Sequence, residues 1–339
     1  MNEFFKAIRK YLTEYLPNQR CCSNSTINSY RHALNLLVTY LTTERHLKIT
    51  QINFDIFNRP LILGYLDWLE HERDCSAATR NQRLAALRSF FRYAGMLDCA
   101  QISLSLDMAD VPRKKEAGRL VEFLSEPALE ALLKQPNIRN HTGIRNQFFM
   151  ILMYDTAARC GELLDMRVRD LKIHTQYPLA YLKGKGDKAR TVPLLPKTVE
   201  HCNRFLQLFH NNSQCSNDYL FFTQIHNARH PMSPDTVAAF MKQYGRTAHL
   251  VCPECPEHIH PHMLRHTRAM HLYREGIPMV LLSEYLGHVS VETTKVYAFA
   301  DTEMKRAAIQ KAEGNQSSFI EPIWKDNEDM ILKLSGLRQ

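Results

Sequence analysis

Nowhere in the 339 residues is there an uncharged apolar run of about 18 residues or more, which excludes a conventional membrane-spanning helix. The first residues, MNEFFKAIRKYLTEYL, are amphipathic and broken by charge, so the continuous apolar core of a signal peptide is missing. The nine cysteines are odd in number and irregular in spacing, which argues against a secreted disulfide framework and for a reducing cytoplasm. Internal repeats and low-complexity tracts are also absent. What remains is ordinary globular material with 45% apolar residues, long enough for two domains. Lys and Arg total 43 against 35 for Asp and Glu, giving +8 and a pI near 9.0. That balance suits a polyanionic partner and equally suits a mildly cationic solvated surface.

The first 110 or so residues read as helices. Ser25 or Thr26 begins one in which Ile27, Tyr30, Leu34, Leu37 and Leu41 recur at helical spacing. A second carries Ile62, Tyr65, Leu66 and Leu69. A third follows Ser76, with Leu84, Leu87, Phe90 and Phe91 on one side and Arg80, Arg83, Arg88 and Arg92 on the other. On charge alone such arginines fit first a solvated face of a core helix, and also a helix reaching DNA phosphates and base edges. MADVPRKKEAGRL, residues 108 to 120, combines Pro112, Gly118 and the cluster Arg113, Lys114, Lys115, the composition of an interdomain linker.

Beyond it, Ser125 caps a helix with Glu126 and Pro127 in its first turn, and an apolar helix spans roughly Arg145 to Thr156. LAYLKGKGDKARTVPL predicts strand, turn and strand, with Leu179 to Lys183 and Arg190 to Leu194 extended. The remainder reads as mostly helical.

The chemistry-bearing residues follow in order. In AARCGELL, Arg159 opens an amphipathic helix with Glu162 one turn later, where a carboxylate holds its neighbour in register or forms an ordinary surface pair. Lys185 lies between two glycines at the hairpin tip, suited to giving a proton to a leaving oxygen; Lys183 and Lys188 are nearby competitors. GKGDK is not a Walker phosphate loop, because the longer glycine spacing and the Ser/Thr after Lys are missing. HMLRHT places His262 and Arg265 on one helical face, with His266 and Arg268 as local competitors. His288 follows Gly287, which closes a helix, and Tyr297 stands nine residues later in ETTKVY. A lone tyrosine is usually core. As a nucleophile its phenol, with a pKa of about 10, needs a base and fixed positive charge on the phosphate it attacks.

Taken together, AARCGELL, GKGDKARTVPL, HMLRHT and LGHVSVETTKVY closely resemble the tyrosine recombinase superfamily of phage integrases, Xer-type recombinases and recombinase-like transposases. The resemblance covers about residues 120 to 300. It extends more loosely to NQRLAALRSFFRYAG, similar to the last helix of a core-binding domain. It implies a mainly α protein with a small β-hairpin or sheet in the catalytic domain. Residues 1–110 are then a helical, SAM-like core-binding domain, 111–120 a basic linker, 121–312 a mixed α/β catalytic domain and 313–339 a tail that docks on a neighbouring protomer or folds back on its own catalytic domain. The catalytic set implied is Arg159, Lys185, His262, Arg265, His288 and Tyr297, supported by Glu162. Ala158 and Cys160 depart from the commonest pattern around the first arginine, where a bulkier aliphatic usually precedes it, without removing a reacting group.

The reaction implied is a transesterification without cofactor, through a 3′-phosphotyrosyl enzyme and a free 5′-hydroxyl. Its partners are double-stranded DNA carrying specific recombination sites, three further copies in a homo-tetramer, and accessory recombination proteins. Integration, excision or transposition of a mobile element is the expected purpose. A type IB topoisomerase and a catalytically silent DNA-binding protein are the alternatives. One further signal is Cys252, Cys255, His258 and His260, four potential ligands within nine residues. They could close a structural zinc site, or form a Pro-rich loop with two reduced thiols.

Overall fold

A computed structural model describes residues 2–116, 121–184, 189–211, 217–226, 228–288, 290–300 and 328–337. The chain divides into two units, Met1–Arg119 and Leu120–Gln339.

The first unit is helical. Helix α1 (Glu3–Lys10) continues through wide π-helical turns (Tyr11–Gln19) around Pro17, which has no N–H to donate. There follow α2 (Asn24–Thr43), α3 (Arg59–His71), α4 (Ala77–Leu97) and α5 (Ile102–Ala109). Side-chain oxygens of Ser23, Asn58 and Ser76 cap the N-termini of α2, α3 and α4, satisfying amides that lack intrahelical partners. The cap of α2 is thus Ser23, ahead of both Ser25 and Thr26 where the start was expected. Phe4, Tyr11, Phe57, Phe90 and Phe91 join the leucines in one core. Burial of each such side chain contributes about 1.5–3 kcal/mol.

Two of the arginines on α4 turn inward. Arg88 Nε donates to Met108 O at 3.2 Å and its Nη2 to Val111 O. Arg80, only 6% exposed, donates to Pro112 O and lies 3.7 Å from Glu70. Asn81 pairs with the backbone of Lys114 through both amide atoms, at 2.8 and 2.9 Å. Residues 111–116 are therefore laid along α4. That overturns the outward, DNA-facing role expected of Arg80 and Arg88: their guanidiniums saturate carbonyls that would otherwise be left unpaired.

The second unit is mixed. Its helices are α6 (Glu126–Leu133), α7 (His141–Thr156), α8 (Cys160–Leu164), α9 (Pro196–His210), α10 (Pro234–Val251), α11 (Pro261–Arg274), α12 (Met279–Leu286) and α13 (Lys295–Ala300). A final described helix covers Glu328–Leu334. Strands β1 (Leu171–Lys172), β2 (Leu179–Lys183) and β3 (Ala189–Pro193) form an antiparallel sheet in that order, with Leu182 opposite Arg190 and Ala180 opposite Val192. A separate hairpin, β4 (Phe222–Ile225) with β5 (Ala228–Pro231), lies in sequence that read as helical. Phe148, Phe149, Phe205 and Phe221 centre the core, and Ala180, Leu182 and Val192 bring the sheet against it. The protein is thus mainly α with small antiparallel sheets, as the sequence led us to expect.

Candidate active site

The site is assembled from five helices, α7, α8, α11, α12 and α13, and one strand of the second unit. Helix α7 stops at Ala157, in the left-handed region at φ 47°, and this turn leads into Arg159 at the start of α8. Glu162 reaches back one turn. It accepts from Arg159 N at 2.8 Å and from Arg159 Nη1 at 2.7 Å. Arg190, on β3, adds two parallel hydrogen bonds to the same carboxylate at 3.0 and 2.8 Å. Burial alone would raise the Glu162 pKa. The hydrogen bonds from Arg190 and Arg159 outweigh that and hold it below the usual carboxylate value.

Pro261 starts α11, where its fixed φ and missing amide suit the first turn. His262, exposed on the second position, precedes Arg265 by three residues. Arg265 is 3% exposed and donates to Ala157 O and Leu286 O, both at 2.6 Å. Burial, with Arg159 and Arg190 close by, lowers its pKa to about 10, so it stays cationic at neutral pH.

Helix α12 ends at Gly287, φ +63°, and His288 follows with its Nδ1 2.8 Å from the Thr294 hydroxyl. Burial and then the surrounding arginines push its pKa down to about 4, so the ring is neutral. Tyr297, on α13, is 1% exposed and packs on Ala157, Ala269, Met270, Leu282 and Leu286. Its hydroxyl lies 2.9 Å from His266 Nδ1. Burial raises the phenol pKa despite the opposing fields of Arg265 and Arg159. The same burial, reinforced by His262 and Arg265, depresses that of His266 to about 4.

Arg159, Arg265, His288 and Tyr297 therefore meet in one region, with Glu162 supporting Arg159 and His262 at its rim. Arg159, Arg190, Gly184 and His288 line a cleft of about 880 Å³. Lys185 lies outside the described residues. Two members of the assembly were not singled out from sequence. His266 was only a competitor to its neighbours, although its position four residues after His262 places it on the same helical face. Arg190 left a fainter signal, a charge sharing the inward face of β3 with Val192.

The four candidate zinc ligands do not converge. Among the described residues no group of three or more His, Cys, Asp or Glu side chains could hold a metal. Cys255 is buried in the core, its thiol pushed up to about 11 by that burial. His258 and His260 flank buried Ile259 and so face solvent. Cys255 and Ile259 are drawn into the core while His258 and His260 stay exposed, and Cys252–Cys255 is a hydrogen-bonded turn at 2.8 Å. The zinc expectation is thereby corrected.

The sequence profile of the phage integrase family matches residues 122–304, and that of the phage integrase N-terminal SAM-like domain matches residues 8–95. The integrase/recombinase y4rC of Sinorhizobium fredii is 30% identical over 305 residues, covering 90% of each chain. Tyrosine recombinase XerD of Lacticaseibacillus casei is 26% identical over 304 residues, 88% of this chain and 95% of its own. Among solved structures, the Tn1549 transposon integrase in complex with transposon right end DNA superposes at TM-score 0.67 and 14% identity, covering 90% of this chain and 98% of that one. XerH site-specific recombinase bound to a palindromic difH substrate gives 0.63 at 21% identity, covering 87% and 82%. These two matches establish the fold. The chain belongs to the phage integrase family of tyrosine recombinases. It is a site-specific DNA recombinase, and neither the topoisomerase nor the silent binder is favoured.

Proposed function

We propose that Tyr297 attacks a scissile phosphodiester in line, forming a 3′-phosphotyrosyl enzyme and releasing a 5′-hydroxyl. Arg159 and Arg265 neutralise the non-bridging oxygens, since a guanidinium stays charged and presents a planar fork. His288 hydrogen-bonds the phosphate and His262 assists proton transfer at the phenol. Lys185, by resemblance, protonates the departing 5′-oxygen. One phosphate ester replaces another, so the step needs neither ATP nor a cofactor, and a hydroxyl from a second strand reverses it. The observation that carries the reading is the Tyr297 hydroxyl, held by His266 beside two buried or half-buried arginines of the same chain. Tyr297 as a whole is 1% exposed, so in this reading α13 shifts before DNA is attacked.

Exposed Arg92, Arg113, Lys114 and Lys115, with half-buried Arg83, remain the groups for phosphate contact in the first unit. The named DNA complexes among the structural relatives support double-stranded DNA with specific sites as substrate. A homo-tetramer, accessory recombination proteins and a tail from residue 313 docking on a neighbour complete the proposal; Phe319, Ile320 and Trp324 of that tail lie outside the described residues. None of the described helices is long and apolar enough to cross a membrane, and a DNA-acting enzyme belongs in the cytoplasm. We further read residues 121–312 as the catalytic domain.

Nicked suicide duplexes test the chemistry. The wild-type chain should become covalently linked to DNA, in EDTA as well as without it, and Tyr297→Phe should bind the same duplex without forming the adduct. An adduct formed by Tyr297→Phe would refute the assignment.

A further inference from the structure

Three consecutive carbonyls at the C-terminal end of α12 accept hydrogen bonds from three different guanidiniums. Arg190 Nε donates to Tyr285 O at 3.0 Å, Arg265 Nη2 to Leu286 O at 2.6 Å and Arg159 Nη2 to Gly287 O at 3.4 Å. Carbonyls there lack intrahelical partners and form the negative end of the helix dipole, so the end of α12 is a natural seat for cations. Two of these arginines belong to the proposed phosphate site. The third, Arg190, comes from β3 and has no role in the scheme above.

Its other hydrogen bonds suggest one. Arg190 Nη1 and Nη2 engage Glu162 Oε1 and Oε2 fork to fork, while Arg159 donates to the same two oxygens through Nη1 and its backbone. One carboxylate thus lies between two guanidiniums. Alone, Arg159 and Glu162 would sum to zero, leaving a phosphate little net attraction. With Arg190 the trio carries a net charge of about +1. Burial decides which arginine supplies it. The Arg190 side chain is 10% exposed, whereas that of Arg159 is 37% exposed at the cleft.

We infer that Arg190 is a positioning residue: it takes up the charge of Glu162 so that Arg159 meets DNA phosphate as a net cation. It also fixes the end of α12 from which His288 follows. Contact with Gly287 is close enough that a Cβ there would lie 3.0 Å from Arg190 Cδ. The inference rests on reading Arg159 as a phosphate ligand.

The test uses the full-length chain and a nicked duplex selected from a randomised library for covalent capture by the wild type. Arg190→Gln should slow single-turnover cleavage about 100-fold, the scale of losing one preorganised donor, with duplex affinity unchanged. Arg190→Lys should stay within about tenfold of wild type. Removing the unopposed negative charge in Arg190→Gln/Glu162→Gln should restore at least part of the lost rate, which a purely structural role does not predict. Wild-type rates in Arg190→Gln would overturn the inference. So would an Arg190→Lys variant as slow as Arg190→Gln, or a double variant slower than the single. If the wild type captures no duplex, the phosphotyrosyl reading fails instead, and the two failures are thereby told apart.

Discussion

Lowering the pH from 7.5 to 5 should destabilise the second unit in part through His266, and replacing that residue should remove its share of the loss. In the folded chain the imidazole is half-buried beside Tyr297, and its pKa falls from the ordinary 6.5 to about 4. Below 6.5 the unfolded chain takes up a proton that the folded chain refuses. Stability is therefore complete above pH 6.5 and declines as the pH falls toward 4. For a fully buried ring the loss at pH 5 would be roughly 2 kcal/mol. Partial solvent access at the ring reduces this to about 1 kcal/mol. Urea unfolding of the wild type and of His266→Asn, at both pH values, measures it. Asparagine keeps a polar atom near the position of Nδ1 for the tyrosine hydroxyl but does not titrate. The expected result is a wild-type loss about 1 kcal/mol larger than that of the variant. Parallel losses would show that His266 is not held neutral, and the buried His266–Tyr297 contact would then be wrong.

Two further substitutions probe the supporting structure. Gly287→Ala puts a side chain at φ +63° and 3.0 Å from Arg190 Cδ and Nη1. It should cost about 1–2 kcal/mol for the left-handed backbone alone and slow covalent capture at least about tenfold as Arg190 is displaced; an unchanged capture rate would contradict the close packing. Arg88→Met removes the donors to Met108 O and Val111 O. It should lower stability by about 1–3 kcal/mol, read as a fall in Tm, with DNA affinity retained; lost affinity at an unchanged Tm would restore Arg88 as a DNA contact.

Local signals were legible where a residue type acts within its own turn of chain. Ser76 and Ser125 cap α4 and α6 where sequence placed them, because a short oxygen-bearing side chain before an apolar period has few other uses. Gly287 ends α12 as its position suggested. Leu84, Leu87, Phe90 and Phe91 are buried on one face of α4, which is helical periodicity alone. The arginines were less readable. Arg80 stands four residues before Leu84 and seven before Leu87, on the leucines' own face rather than opposite it, and Arg88 lies at the edge of that face; residues 111–116 return to cover both, and only the folded chain brings those carbonyls within reach. The cysteine–histidine cluster failed for a related reason: spacing along a chain says nothing of which side of a turn each side chain occupies once Ile259 is packed inward.

Sequence alone established the ordered set of arginines, histidines and tyrosine, because its chemistry is carried by residue identity and motif order. Tertiary structure decided which groups touch. The pairing of Arg190 with Glu162 joins β3 to α8, and the contact of His266 with Tyr297 joins α11 to α13. The meeting of three guanidiniums at the end of α12 spans more than a hundred residues of chain. Such contacts depend on where the core brings separate elements together, and the charge and burial of each group, hence its proton affinity, follow from that placement.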